Sequence, residues 1–127
     1  MVEDAFDKYL NDINKAYLRG DATEHTHRPA LKALIEVIAR KITATNEPRR
    51  VKCGAPDYVV SRRSNGLDQN IGYIEAKDIG ISLTQAAKTE QIKKRYLPSL
   101  NNFILTDYIE FRWYVNGERQ LTEKLAV

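Results

Sequence analysis

The chain has 127 residues and a formal net charge of +3, with 43% hydrophobic and 29% charged residues. This is one domain's length with an ordinary globular composition, and no apolar run approaches the ~20 residues of a membrane span. The lone Cys53 excludes an internal disulfide and any CxxC zinc site, which suits a reducing cytoplasm.

The start, MVEDAFDKYLND, is acidic and amphipathic, unlike a signal peptide. Over residues 3–19, Phe6, Leu10, Ile13 and Tyr17 recur at helical spacing and Gly20 supplies a stop. A polar break covers 21–26. Pro29 then opens a second helix, where its missing N–H costs little. Leu31, Leu34, Ile35, Ile38 and Ile42 form that helix's apolar stripe, which runs out near residues 46–48. Beyond it the period becomes that of strands. Residues 49–53 make a short one, Gly54-Ala55-Pro56 a turn, and 57–63 (DYVVSRR) and 71–77 (IGYIEAK) two longer ones. The loop SNGLDQN between them contains Asn-Gly, which is hairpin chemistry. Residues 82–97 return to helix, ended by Pro98. Residues 103–105 read as a short buried strand and 109–115 as another, on which Trp113 alternates with Phe111 as a core residue. Asn116-Gly117 turns the chain, and RQLTEKLAV looks like the opening of something further. The element order predicts one α/β layered domain over 1–127 with a partly antiparallel sheet, cut from a longer polypeptide.

The feature that carries chemistry is Pro56-Asp57, seventeen residues, then Glu75-Ala76-Lys77. If the hairpin pairs symmetrically about positions 63 and 71, Asp57 faces Lys77 and Val59 faces Glu75. Glu75 and Lys77 share a face by their two-residue spacing, so the three charges converge at one end of the hairpin. Two carboxylates held together repel, and burial adds a desolvation cost. A divalent cation removes both difficulties, and magnesium takes such oxygen ligands while keeping room for water and a phosphate oxygen. Water on such an ion is a latent nucleophile, and Lys77 can stabilise the developing negative charge. Against this stands the plain alternative that an Asp and a Glu-x-Lys are solvated surface charges. The flanking apolar residues (Tyr58, Val59, Val60; Ile71, Ile74) place both acids on strands and favour the chemical reading.

The Pro-Asp…Glu-x-Lys pattern resembles the PD-(D/E)xK nuclease superfamily. Five segments in order, two of them containing that motif, are similar to the N-terminal nuclease domain of single-chain restriction-modification enzymes: THRPALKALIE, NEPRRVKCGAPDYVV, GYIEAKDIG, EQIKKRYLPSL and NNFILTDYIEFRWY. In that family the nuclease precedes a DNA methyltransferase region, sometimes with a helicase-like motor between them. The resemblance spans about residues 20–118 and implies a restriction-endonuclease-like mixed central sheet flanked by helices. It implies Asp57 and Glu75 as ligands of Mg²⁺, with Mn²⁺ able to substitute, the Ala76 carbonyl as a further ligand, and Lys77 as the catalytic lysine. An acid or histidine from the preceding helical region would complete the metal site. Glu24, His25, His27 and Glu36 remain open for that role, with Glu24 favoured because Thr23-Glu24-His25 looks like the family's opening motif. For His25 and His27 the alternative is hydrogen bonding at a helix start, and for Glu36 solvent exposure.

Gln91 and Tyr96 resemble a Gln…Tyr motif in which the glutamine supports the metal site or a phosphate and the tyrosine orients DNA. Here four residues separate them instead of the commoner three. Arg95, one turn from Gln91, could contact the same phosphate. Lys88, Lys93 and Lys94 form either a phosphate-binding or a merely solvated face. Arg49, Arg50, Lys52, Arg62 and Arg63 are further candidate phosphate contacts. The implied reaction is hydrolysis of double-stranded DNA to a 3′-hydroxyl and a 5′-phosphate. Methyltransferase and target-recognition domains of the parent chain would supply specificity, and dimerisation on DNA could control activity. Two rivals stand beside this: a stand-alone repair or junction-resolving nuclease, and a non-catalytic DNA-binding module on the same fold.

Overall fold

The computed structural model describes residues 2–20, 26–39, 41–46 and 54–125. Two helices come first, α1 (Val2–Leu18) and α2 (Arg28–Ile38). Gly20, at φ +81°, donates its N–H to the Tyr17 carbonyl and closes α1 as expected of a glycine stop. The buried side of α1 is rotated from the expected one. Tyr9, Ile13 and Ala16 are buried, whereas Tyr17 is more than half exposed. Tyr9 was overlooked because its hydroxyl reads as polar, yet that hydroxyl donates to the Tyr108 carbonyl at 2.6 Å and the ring is free to pack. On α2, Arg28, Leu31 and Leu34 are the buried positions.

Ile42 does not extend the α2 stripe. Ala39 is extended (φ −131°, ψ 112°), Lys41 adopts φ +63°, and Ile42 begins strand β1 (Ile42–Asn46). ITATN is dominated by β-branched residues, which fit a pleated sheet better than a helix. Strands β2 (Tyr58–Ser64), β3 (Leu67–Ala76), β4 (Asn102–Thr106), β5 (Glu110–Val115) and β6 (Glu118–Lys124) complete one six-stranded sheet in sequential order. Every neighbouring pair is antiparallel except β3–β4, which is parallel. The stretch from Glu118 to Lys124 pairs with β5 as β6. The fold is thus a mixed α/β arrangement with a central sheet and flanking helices, as the sequence implied.

The β2–β3 hairpin is tighter than the seven-residue loop expected. Ser64 pairs with Leu67, leaving a two-residue turn of Asn65 (φ +52°) and Gly66 (φ +77°). These are the two positive φ values of a type I′ turn, whose twist matches the strands it joins. A bulge follows: Ser61 pairs with Asn70 but Val60 pairs with Gly72, so Ile71 is the extra residue on β3.

The third helical region is broken. α3 is only Leu83–Ala86, and Thr89 then starts a π-helix (Glu90–Tyr96) by accepting the Ile92 N–H while donating to the Ala86 carbonyl. Pro98 sits inside the last short turn, α4 (Leu97–Ser99), near its start where proline is tolerated. Two cores lie on the two faces of the sheet. Tyr9, Ile13, Leu31, Leu34, Tyr58 and Ile74 fill the one beneath α1 and α2. Leu83, Ile92, Tyr96, Phe103, Leu105 and Tyr114 fill the one beneath the broken helix. Trp113, expected in the core, is 40% exposed, because Tyr114 is the β5 residue that turns into the second core. Its indole N–H donates to Asn102 Oδ1 at 2.5 Å.

Candidate active site

The observed register brings the acids closer than expected. Tyr58 pairs with Ile74 and Val59 with Tyr73, so Val59 does not face Glu75 and Asp57 does not face Lys77. One step beyond Tyr58, the Asp57 N–H donates to Glu75 Oε1 at 3.2 Å, and the Ala76 N–H donates to Asp57 Oδ2 at 2.8 Å. The acids are direct cross-strand neighbours. The Ile71 bulge sets this phase, since the register of the outer hairpin continued without it would slide Glu75 one residue past Asp57.

Glu75 lies in step with Tyr73 and its β4 partner is Leu105, both packed in the second core, while Ile74 and Ala76 belong to the first. It is 6% exposed. Burial first, and then the charge of Asp57, push its carboxyl up to about 7, with Lys77 opposing. Lys77 Nζ stands 3.6 Å from Glu75 Oε2, and its main-chain N–H donates to the Thr106 carbonyl at 2.8 Å. Thus Asp57, Glu75 and Lys77 do meet at the carboxyl end of β3, where its antiparallel partner β2 gives way on the other side to the parallel strand β4.

Gly54 and Pro56 hold the approach to Asp57. Gly54 has φ +141°, and a Cβ there would stand 3.0 Å from Cε1 of Tyr96. Tyr96 is fully buried, and its hydroxyl accepts from Gln91 Nε2 at 3.0 Å. The structure therefore brings Gln91 and Tyr96 together, with the tyrosine packed under the turn rather than open to DNA. The extra residue between them is absorbed by the π-helix, whose i→i+5 repeat stacks positions 91 and 96 as an α-helix would stack positions four apart. Gln91 is exposed, and Arg95 is half exposed with only a loose 3.9 Å contact to Glu90.

Among the residues proposed to complete a metal site, Glu24 and His25 lie outside the described residues, as do Arg49, Arg50, Lys52 and Cys53. Glu36 is engaged elsewhere: it accepts from Lys32 Nζ at 2.5 Å and from the Ala44 N–H at 3.0 Å, tying α2 to β1. His27 is buried with its ring edge-on to Tyr108 at 5.1 Å, and burial lowers its pKa. Among the described residues its Nδ1 has no hydrogen-bond partner. No cluster of three or more His, Cys, Asp or Glu side chains suited to a metal occurs among the described residues.

Arg28 was missed by sequence reasoning. Its side chain is 6% exposed, and Nη2 donates to Asp57 Oδ1 at 2.5 Å. A buried guanidinium 29 residues from its partner leaves no periodic signal in a sequence; the only hint was its place in THRPALKALIE. The donor set as a whole fits a hard divalent cation. It offers two neighbouring carboxylates, oxygen donors only, one of which resists ionisation first because it is buried and then because of the other's charge.

No protein-family model and no curated protein matches the chain. A solved structure does: a chain in the cryo-EM structure of a DrdV–DNA complex superposes with a TM-score of 0.78 at 20% identity. The match covers 98% of this chain and 12% of that one. The fold is shared. Spanning about an eighth of the DrdV chain's length, the present chain corresponds to one portion of that larger protein. No described helix is long and apolar enough to cross a membrane.

Proposed function

We propose that this chain is the Mg²⁺-dependent nuclease domain of a single-chain restriction-modification enzyme of the PD-(D/E)xK type, acting on double-stranded DNA in the cytoplasm. The observation that carries the reading is that Glu75 accepts the Asp57 main-chain N–H, which sets the two acids side by side next to Lys77. Burying Glu75 beside a second carboxylate costs stability, and burial first and Asp57 second raise its pKa. The shared fold with part of a protein solved on DNA supports the same reading.

Asp57 and Glu75 would hold the cation, with the Ala76 carbonyl as a candidate third ligand. When bound, the cation would supply Lewis acidity toward a phosphate oxygen and the attacking water. Lys77 holds its ammonium next to Glu75, where it can offset charge developing on the phosphate. Gln91, exposed and bonded to Tyr96, would steady a phosphate oxygen. Double-stranded cleavage and restraint of the isolated domain would depend on the parent chain's other domains or on dimerisation.

The test is plasmid nicking with Mg²⁺ against metal-free buffer, comparing wild type with Lys77→Ala. Activity that requires Mg²⁺ and drops at least ~100-fold in the variant is expected, in line with losing one charge-stabilising donor. A second reading, a non-catalytic DNA-binding module, draws on one observation: Asp57 Oδ1 and Oδ2 already accept bonds from Arg28 and Ala76, as in a purely structural ion pair. If both proteins bind DNA and neither nicks it, that second reading stands.

A further inference from the structure

Arg28 is the first residue of α2, immediately ahead of Pro29, and it is fixed at both ends. Its carbonyl accepts from the Tyr58 hydroxyl at 3.0 Å, which ties the helix start to the residue following Asp57. Its Nη2 reaches Asp57 Oδ1 at 2.5 Å, while the Ala76 N–H holds Oδ2. The side chain is almost wholly buried, and a buried guanidinium is tolerated only where its charge is balanced. Among the described residues Arg28 pairs with Asp57 and Lys77 with Glu75, so each acid has a cationic partner without any ion.

We propose that Arg28 is a positioning residue that serves as the counter-ion of Asp57 in the metal-free site and competes with a divalent cation for Oδ1. The inference rests on the nuclease reading and deepens it. It assigns a second task to α2: besides covering the sheet, its first residue sets how tightly the acids hold metal. A cation entering between Asp57 and Glu75 meets a fixed positive charge already bonded to one of the ligand oxygens. It must displace Nη2 or share the carboxylate with it. Affinity is thereby held below what two buried carboxylates would otherwise reach, and the metal-free chain stays folded.

Mn²⁺ binding, read by electron paramagnetic resonance on the 127-residue chain, tests this without reference to cleavage. Arg28→Gln keeps the bulk and a donor but removes the charge, and is expected to bind Mn²⁺ about tenfold more tightly. Its melting temperature without metal should fall, and the rise on adding Mn²⁺ should exceed that of wild type. Arg28→Lys, retaining the charge, should stay within about threefold of wild-type affinity. Equal or weaker Mn²⁺ binding by Arg28→Gln overturns the proposal while leaving the nuclease reading intact. If wild type and variant both fail to bind Mn²⁺, the metal-site reading falls and the proposal with it. Should Arg28→Gln not fold, the Arg28 Nε–H resonance of wild type decides: Mg²⁺ should shift it, and an unmoved resonance at saturating Mg²⁺ overturns the competition.

Discussion

Glu75 shows at the residue scale how burying an acid opposes stability. An unfolded glutamate ionises near 4.5, whereas burial and Asp57 hold this one at about 7. Between those values the folded chain keeps a proton that the unfolded chain has released. The group's contribution is therefore most favourable at low pH and is lost as pH rises through that window, by roughly 3 kcal/mol in full. His27 works the other way. With its folded pKa lowered, protonation of the unfolded chain below 6.5 removes stability as pH falls. Comparing variants isolates the glutamate. Glu75→Gln, which cannot ionise, should unfold at higher urea than wild type at pH 8, with the gap narrowing toward pH 5. A gap of the same size at both pH values would mean that Glu75 does not titrate as described. The same variant should lose Mn²⁺ binding, which is the exchange of function for stability expected at a strained site.

At the scale of elements, the sequence disclosed chemistry better than geometry. The two strands carrying Asp57 and Glu-x-Lys were legible from their apolar flanks, and the Asn-Gly turn from its dipeptide. Their register was not, because nothing in the letters announces that Ile71 is a bulge. Val59 opposite Glu75 was wrong because the chain turns at Asn65-Gly66 rather than across a seven-residue loop, and the bulge then shifts the inner pairs by one residue. The π-helix was equally silent, yet it explains how Gln91 and Tyr96 stay bonded across an odd spacing. Arg28 was invisible for a third reason: its contact joins a helix start to a strand far along the chain.

Gly54 is where this scale can be tested. Alanine there must adopt φ +141° and place a methyl 3.0 Å from the Tyr96 ring, which is itself locked in the core. Strain and overpacking together should cost about 2–4 kcal/mol in urea unfolding. The displaced ring should also disturb Gln91, whose amide is bonded to the Tyr96 hydroxyl. Gly80→Ala offers the control, because Gly80 has a positive φ of +96° but no heavy atom within 4 Å of an added Cβ. It should cost only the conformational part, about 1 kcal/mol. If the two variants unfold at the same urea concentration, the Tyr96 contact does not constrain the turn.

Across the whole molecule, the sheet separates two tasks. α1 and α2 cover one face and deliver Arg28 to the acids, while the broken helix from Leu83 to Ser99 covers the face toward which Glu75 projects. Lys88, Lys93 and Lys94 are exposed along that broken helix. A net charge of +3 is too small to bind DNA through a diffuse field, so any affinity must come from such local clusters. Replacing the three lysines with glutamine in a Lys77→Ala background, where cleavage does not intervene, isolates their share. Each phosphate neutralised releases counterions, so losing three contacts should flatten the slope of log affinity against log salt by about 2.7. Duplexes of different sequence should weaken alike, because phosphate contacts carry no readout of bases. Mn²⁺ affinity should be unchanged, since these side chains are not among the partners of Asp57 or Glu75. An unaltered salt slope with the three lysines removed would move the DNA path off the broken helix, leaving Arg62 and Arg63 on the exposed end of the β2–β3 hairpin as the next cations to replace.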